Sequence, residues 1–431
     1  MKTILLPITL LVLFSCGKKT DSLEQALDIA NKNRKEIESV LAHYKDEPEK
    51  LQAAQFLIKN MIGKNTLDTM SVISNQIFFD SLKLLRTKNG IIRDDDFRIV
   101  CEDIIKNNPD LKTSTPAYKT DLTFLSSEEL ISHIDHAFRV KEKYPWCKDV
   151  DFDDFCRYVL PYKVETSYWD GTNSFFETKY SHLIDSFSNL SITEIGDYIR
   201  TDADETFFMG WDVLSSEYPF LFPATFQNVA KTQIGLCPAY TAYIISAARA
   251  IGIPAVLNAI PCYGNSDHQH FWMEVVDRAY APELYENKPV VYDKTAKELV
   301  NGMFNSKATM PPFDHFNEFV TVSHNRRMAK IYRINYENLA DNIEFLSGKS
   351  DIPSFFRNIG MEDVTNKYVK CSDVEIDLWD VGQNEKTAYL YCYDSGNWTP
   401  VCKAEANNNK ALFKNVGVNI FRVPDSQITS R

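Results

Sequence analysis

The chain has 431 residues, 44% hydrophobic and 25% charged, which is the balance of a globular protein. Fifteen glycines and 18 prolines exclude a collagen-like or low-complexity chain, and the length suits two or three domains of about 100–200 residues each. Forty-seven Lys and Arg against 59 Asp and Glu give a net charge of −12, which argues against nucleic-acid binding through a general basic face.

Residues 1–15 read as a secretory signal. Lys2 is a short positive start, and Ile4 to Phe14 is an apolar run of eleven residues. A bilayer span takes about 20, so this run is too short to cross. It ends in Leu13-Phe14-Ser15-Cys16, which resembles the lipobox of bacterial lipoproteins. The resemblance implies cleavage before Cys16 and lipidation of that cysteine. The protein would then be exported and lipid-anchored to a bacterial cell membrane, at the periplasmic face or the cell surface. Phe14 is bulkier than the residue usual at its position. An ordinary cleaved signal with an incidental cysteine is the alternative. Gly17 to Ser22 reads as a polar tether.

Helical periodicity follows over 22–63, with Leu23, Ala26, Leu27 and Ala30, then Ile37, Val40 and Leu41, at three- and four-residue steps. Further helical patterns fall at about 66–88, 93–107 and 126–142, the last with a capping signal at Ser126 to Glu129. Residues 16–160 are therefore expected to form an all-helical domain. Pro161 enforces a break after FCRYVL, and a mixed segment runs to about 230. After about 340 the pattern becomes short β runs: Asp373–Asp380, Lys386–Tyr393, Trp398–Ala404 and Val416–Val423. Ser395-Gly396-Asn397 reads as a hairpin turn. Residues 340–431 are expected to form a β-sandwich-like domain.

Chemistry is concentrated between 235 and 295. Pro238 suits the first turn of a helix, Gly252 suits its C-terminus, and Pro254 prevents its continuation. Cys237 therefore opens a helix of about 14 residues. The unpaired N–H groups and the dipole at that end favour a thiolate and stabilise an oxyanion. Gly235 is read as the residue that lets the chain turn before the cysteine. His270 begins HFWMEV, whose alternation marks a strand, and Pro289 to Thr295 reads as a short strand ending in Asp293. An acid there accepts a hydrogen bond from the imidazole and fixes its tautomer. The histidine lies 33 residues after the cysteine and the aspartate 23 after that.

The segments GLCPAYTAYIISAARAIGIPA, HFWMEV and VVYDKT resemble the transglutaminase-like superfamily, of papain-like cysteine chemistry. In that family a cysteine opens the central helix, a His-x-Trp strand follows, and an aspartate ends the next strand. The resemblance covers about 60 residues well and implies Cys237, His270 and Asp293 as the triad. It implies an α+β fold: a transglutaminase-like core over 161–335, flanked by the helical N-terminal and antiparallel C-terminal regions. The layout also resembles large transglutaminase-like lipoproteins of Bacteroidetes-type bacteria. The implied activity is a thioester-forming cysteine hydrolase acting on amide bonds of proteins or peptides. A peptidase or amidase is favoured over a crosslinking enzyme. Two departures stand out. The family's positive residue before Gly-x-Cys is replaced by the run Lys231 to Ile234, and Lys294-Thr295 follows the aspartate instead of Pro-Thr.

Several readings remain open. Gln233 is either an oxyanion donor or a solvated loop residue. His268 and His270 could ligate a metal, but no third ligand has diagnostic spacing. Neither a metal nor a cofactor is expected. Trp146, Trp169 and Trp211 are read as structural, and His133 and His136 as a solvated helix edge. Nine cysteines without a CxxC pair suggest no dense disulfide framework. The competing functional reading is a catalytically silent binding or scaffold lipoprotein.

Overall fold

The computed structural model describes residues 22–67, 76–81, 83–84, 94–107, 109, 117–164, 173–209, 229–230, 232–235, 237–264, 269–278, 327–346, 352–379, 387–394, 397–418 and 420. Cys16, Trp169, Trp211, His268 and Asp293 lie outside them, as does the expected strand 289–295.

Three helices open the fold: α1 (Ser22–Ala30), α2 (Arg34–His43) and α3 (Pro48–Asn60). Each turns its periodic apolar residues inward, Ala26, Leu27 and Ala30 first, then Ile37 and Val40, then Ala54, Leu57 and Ile58. Pro48 starts α3, where its missing N–H has no helical partner to lose.

The helical expectation then needs correction. Strand β1 (Asn65–Leu67) pairs antiparallel with β2 (Tyr118–Thr120), on either side of α4 (Asp94–Asn107). Residues 76–81 and 83–84 are helical. Gly63, at φ +79°, turns the chain before β1, and the buried Thr66 hydroxyl donates to Asp121 at 2.6 Å. That polar knot joins residues 55 apart, so no local periodicity announces it.

Helix α5 (Ser127–Lys143) carries the expected capping box. Ser126 Oγ accepts from the Glu129 N–H at 3.2 Å, and the Glu129 carboxylate accepts from the Ser126 N–H at 2.8 Å. A π-helical turn over Phe155–Val159 ends just before Pro161. Helices α6 (Asn173–Tyr180) and α7 (Ile192–Thr206) follow, the latter with a second capping box at Ser191 and Glu194.

Strand β3 (Phe208–Met209) pairs parallel with β4 (Ile234–Gly235), which leads into the central helix α8 (Cys237–Ala250). Strands β5 (Ala255–Ile260), β6 (His270–Val275) and β7 (Tyr332–Ile334) come next, then α9 (Ala340–Leu346) and β8 (Met361–Asp363). The four strands form an antiparallel sheet in the order β6-β5-β7-β8. The central sheet thus extends past 335, because β8 completes it.

The C-terminal strands β9 (Cys371–Asp377), β10 (Thr387–Asp394), β11 (Asn397–Asn407) and β12 (Lys410–Gly417) form one antiparallel sheet in the order β10-β11-β12-β9. Among the described residues this is a single sheet, not the expected sandwich. The last strand also begins earlier than expected. Asn408 and Asn409 both adopt positive φ, +51° and +59°, the turn that suits a two-residue hairpin. Strands β10 and β11 pair as far as Asp394 opposite Asn397, and Ser395 and Gly396 of the expected turn lie outside the described residues.

The molecule is α+β, with α8 and the N-terminal helices sharing a core with one face of the antiparallel sheet. One apolar core runs from Ala26 to Met361. The packing therefore crosses residue 160 without a break, and the N-terminal helices and the sheet share a core. A second cluster, with Ile260, Tyr263, Trp272 and Tyr368, lies on the opposite face of the sheet. A third, with Cys262, Cys392, Val401 and Phe413, joins the C-terminal sheet to it. Among the described residues no helix is long and apolar enough to cross a membrane.

Candidate active site

The approach to Cys237 is held by two backbone devices. Gln233 has φ +53°, and its N–H donates to the Val229 carbonyl at 2.7 Å, closing a helical turn. A Cβ at Gly235 would stand 2.7 Å from the Cβ of Ala239, so only glycine lets β4 run this close to the helix. The left-handed residue is Gln233, and glycine's role is close approach, which corrects the expected turn at Gly235. The Gln233 amide also has a structural use. Its Nε2 donates to Thr206 Oγ1 at 3.0 Å and to the Tyr243 hydroxyl at 3.1 Å. Its Nε2 is thus engaged by two structural partners, which argues against the oxyanion-donor reading.

Helix α8 spans the 14 residues expected. It is apolar nearly all round, as suits a buried central helix, with Tyr240, Tyr243, Ile244, Ile245, Ala247 and Ala248 buried. Its end is a Schellman motif. The Ile253 N–H reaches the Ala248 carbonyl at 2.9 Å, the Gly252 N–H reaches that of Arg249 at 3.0 Å, and Gly252 has φ +80°.

The helix then turns back into β5, and β5 runs antiparallel to β6, with Ile260 opposite His270. Helix α8 and strand β6 therefore run in the same direction. Cys237 and His270 are the first residues of these two elements, so both sit at the same end of the core. One turn along the helix, Thr241 Oγ1 donates to the carbonyl oxygen of Phe271 at 3.2 Å and fixes the level of one element against the other.

The faces differ. Phe271, Met273 and Val275 point to the core that α8 packs on, and Cys237 is half-buried at its edge. His270 is buried and points the other way. Its ring stands 6.2 Å from that of Tyr263 and 6.1 Å from that of Trp272, near-parallel to both. Further along the same face Glu274 accepts from Asn258 Nδ2 and from the Tyr368 hydroxyl, each at 2.7 Å, and pairs with Arg333. Burial alone would raise the Glu274 pKa. Arg333 and these donors outweigh burial and hold the carboxyl below its ordinary range.

The other thiols are set apart by their surroundings. Cys101, Cys147, Cys156, Cys262, Cys392 and Cys402 are buried, and only Cys237 and Cys371 among the described cysteines are partly exposed. Burial pushes Cys147 and Cys156 up to about 12, and Cys371 up to about 11.

Two expectations about other residues change. His133 and His136 are buried, not solvated. A carbonyl oxygen can only accept, so His133 donates through Nε2 to Leu160 O at 2.6 Å, and Asn173 Nδ2 donates to its Nδ1 at 3.0 Å. Burial pushes its pKa down to about 3. Trp146 is structural as expected, its indole N–H donating to Ile251 O at 2.7 Å. Among the described residues no set of three or more His, Cys, Asp or Glu could hold a metal ion.

Sequence reasoning missed the buried Glu274–Arg333 pair and the Lys163–Asp121 pair. Strand alternation puts Glu274 on the His270 face, but its partner lies 59 residues away. Comparison with family models, curated proteins and solved structures gives no match to this chain.

Proposed function

We propose that the chain is a cysteine hydrolase with a transglutaminase-like core, acting on amide bonds of proteins or peptides. The observation that supports this reading is the common position of Cys237 and His270, each opening its element at one end of the core. The thiolate of Cys237 adds to the amide carbonyl carbon, and helix N–H groups stabilise the oxyanion. His270 holds the thiol proton and passes it to the leaving amine, which leaves a thioester. Water then attacks the thioester, His270 takes one of its protons, and the C–S bond breaks as that proton returns to sulfur, releasing the carboxylic acid, which ionises in water. Asp293 orients the imidazole. An amine in place of water would give a crosslink. Cys16 anchors the exported protein to a bacterial membrane.

A second reading has its own support. The His270 ring stacks with Tyr263 and Trp272 on the face away from α8. A silent scaffold lipoprotein would keep that arrangement in solution.

Peptide-amide hydrolysis by wild type, Cys237→Ala and His270→Ala decides between them. The hydrolase reading expects losses of at least about a hundredfold in both variants with the circular dichroism unchanged. Turnover that ignores Cys237 sinks the mechanism. Incorporation of a fluorescent primary amine at the expense of hydrolysis assigns crosslinking. Loss of the protein from the membrane fraction in Cys16→Ser tests the anchor.

A further inference from the structure

At the other end of α8 lies a cavity of about 180 Å³, where the loop before β1, the segment after Pro161, the end of the helix and the loop before β8 meet. Lys64, Lys163, Arg249 and Arg357 all line it, with Asn65 and Asn358 between them. Among the described residues that line it there is no carboxylate. Three described acids lie beside these walls and are already paired. Asp121 holds Lys163 at 2.7 Å, Glu362 accepts from Asn335 at 3.1 Å, and Glu337 pairs with Arg157 at 2.9 Å.

The four cations divide into two kinds. Lys163 spends its ammonium on Asp121, the Asn65 carbonyl and Thr66 Oγ1, at 2.7, 2.8 and 3.1 Å. Arg249 gives Nε and Nη1 to the carbonyls of Tyr158, Ala255, Pro161 and Lys163. These two are fixed and add charge to the walls. Lys64 makes one long bond, 3.3 Å to Asn338 Oδ1, and lies over the Tyr336 ring. Arg357 is exposed at the mouth, with its Nε on the Ile352 carbonyl. These two can turn donors toward a guest.

Four cationic side chains line this cavity, and among the described residues Asp121 is the one carboxylate paired with any of them, so an anionic guest would offset charge that the walls leave unbalanced. We propose that this cavity is an anion site for a small oxyanion of the phosphate class, with room for a short attached carbon group. Lys64 and Arg357 supply the directed hydrogen bonds, Arg357 through its planar fork, and Lys163 and Arg249 supply fixed field. Burial, and then the like charge of Lys163, push Lys64 down to about 8, so an anion beside it would be favourable. Burial likewise pushes Arg249 down to about 9. A bound anion would clasp the N-terminal helical region to the sheet. The cavity is a helix length, about 20 Å, from Cys237, so it stands apart from the hydrolase reading.

Isothermal titration of the full chain with sodium phosphate, then glycerol phosphate, then succinate, at ionic strength held with chloride, tests the site. The expected result is saturable one-to-one binding of phosphate and the monoester. That binding should weaken roughly tenfold or more in Arg357→Gln and in Lys64→Gln. The surface variant Lys410→Gln should bind as wild type does. Arg357 is exposed, so its variant keeps the fold and the test holds even where Lys64→Gln is unstable. No saturable phosphate binding, binding that is equal in Arg357→Gln, or binding of succinate alone overturns the proposal.

Discussion

Thr241 and Phe271 are joined by a single hydrogen bond, side-chain hydroxyl to main-chain carbonyl at 3.2 Å. It ties the second turn of the central helix to the start of the strand that His270 opens. Thr241→Val keeps the shape and removes the donor. The expected loss is about 1 kcal/mol in denaturant unfolding. The hydrolase reading adds a second consequence: the alkylation rate at Cys237 falls in this variant while that of the denatured protein does not change. An unaltered Cys237 rate would mean that the bond supports the fold and not the site.

The thiols give a sharper contrast. Cys371 is as open as Cys237 by class, but burial pushes it up to about 11. Cys147 and Cys156 lie higher still, at about 12. Iodoacetamide at pH 7 should therefore label Cys237 first, because the thiolate is the nucleophile and the helix N-terminus favours it. Peptide mass spectrometry of wild type and His270→Ala reads the outcome. A labelling pKa at Cys237 below the free value of about 8.5, lost in the variant, fits a working pair. Equal rates at Cys237 and Cys371 would favour the scaffold.

The central helix was legible because its signals are local. Cys237, Pro238, Gly252 and Pro254 each act on the backbone beside them, and both helix ends fall where they indicate. The capping box at Ser126 and the strand from His270 are local in the same way. What stayed hidden is long-range. Thr66 meets Asp121, Glu274 meets Arg333, and His133 meets Leu160, and none of these pairs leaves a trace in the periodicity of either segment. Buried histidines look like a solvated edge when their partners are carbonyls of another segment. Strand count is local too, but whether strands close into one sheet or two is not, and the described C-terminal strands form one sheet.

His133 makes a prediction about acid. Its folded pKa is pushed down to about 3, below the usual His value of about 6.5. The folded state thus resists the proton that the unfolded state takes up. This contribution is complete above about pH 6.5 and is lost as pH falls from there towards 3, by about 1.4 kcal/mol per pH unit at most. Glutamine at 133 can still donate to Leu160 and cannot titrate. Denaturant midpoints between pH 7 and 4 should fall more steeply for wild type than for His133→Gln. Parallel curves would mean that His133 becomes protonated in the fold at ordinary acidity.

The Lys163–Asp121 pair is almost wholly buried, and Tyr162 also donates to Asp121, at 2.7 Å. Breaking such a pair from one side leaves a charge without a counterion, which costs about 3–5 kcal/mol. Asp121→Asn does this to Lys163, in a wall that already carries Lys64 and Arg249. Removing both charges in Asp121→Asn with Lys163→Met should cost less than Asp121→Asn alone. A double-mutant cycle in urea measures the difference. Added phosphate should restore part of the loss in Asp121→Asn if the cavity takes an anion, because the guest then balances the stranded ammonium. Additive single losses would show that the pair is not coupled. Rescue by chloride at equal ionic strength would assign the effect to screening.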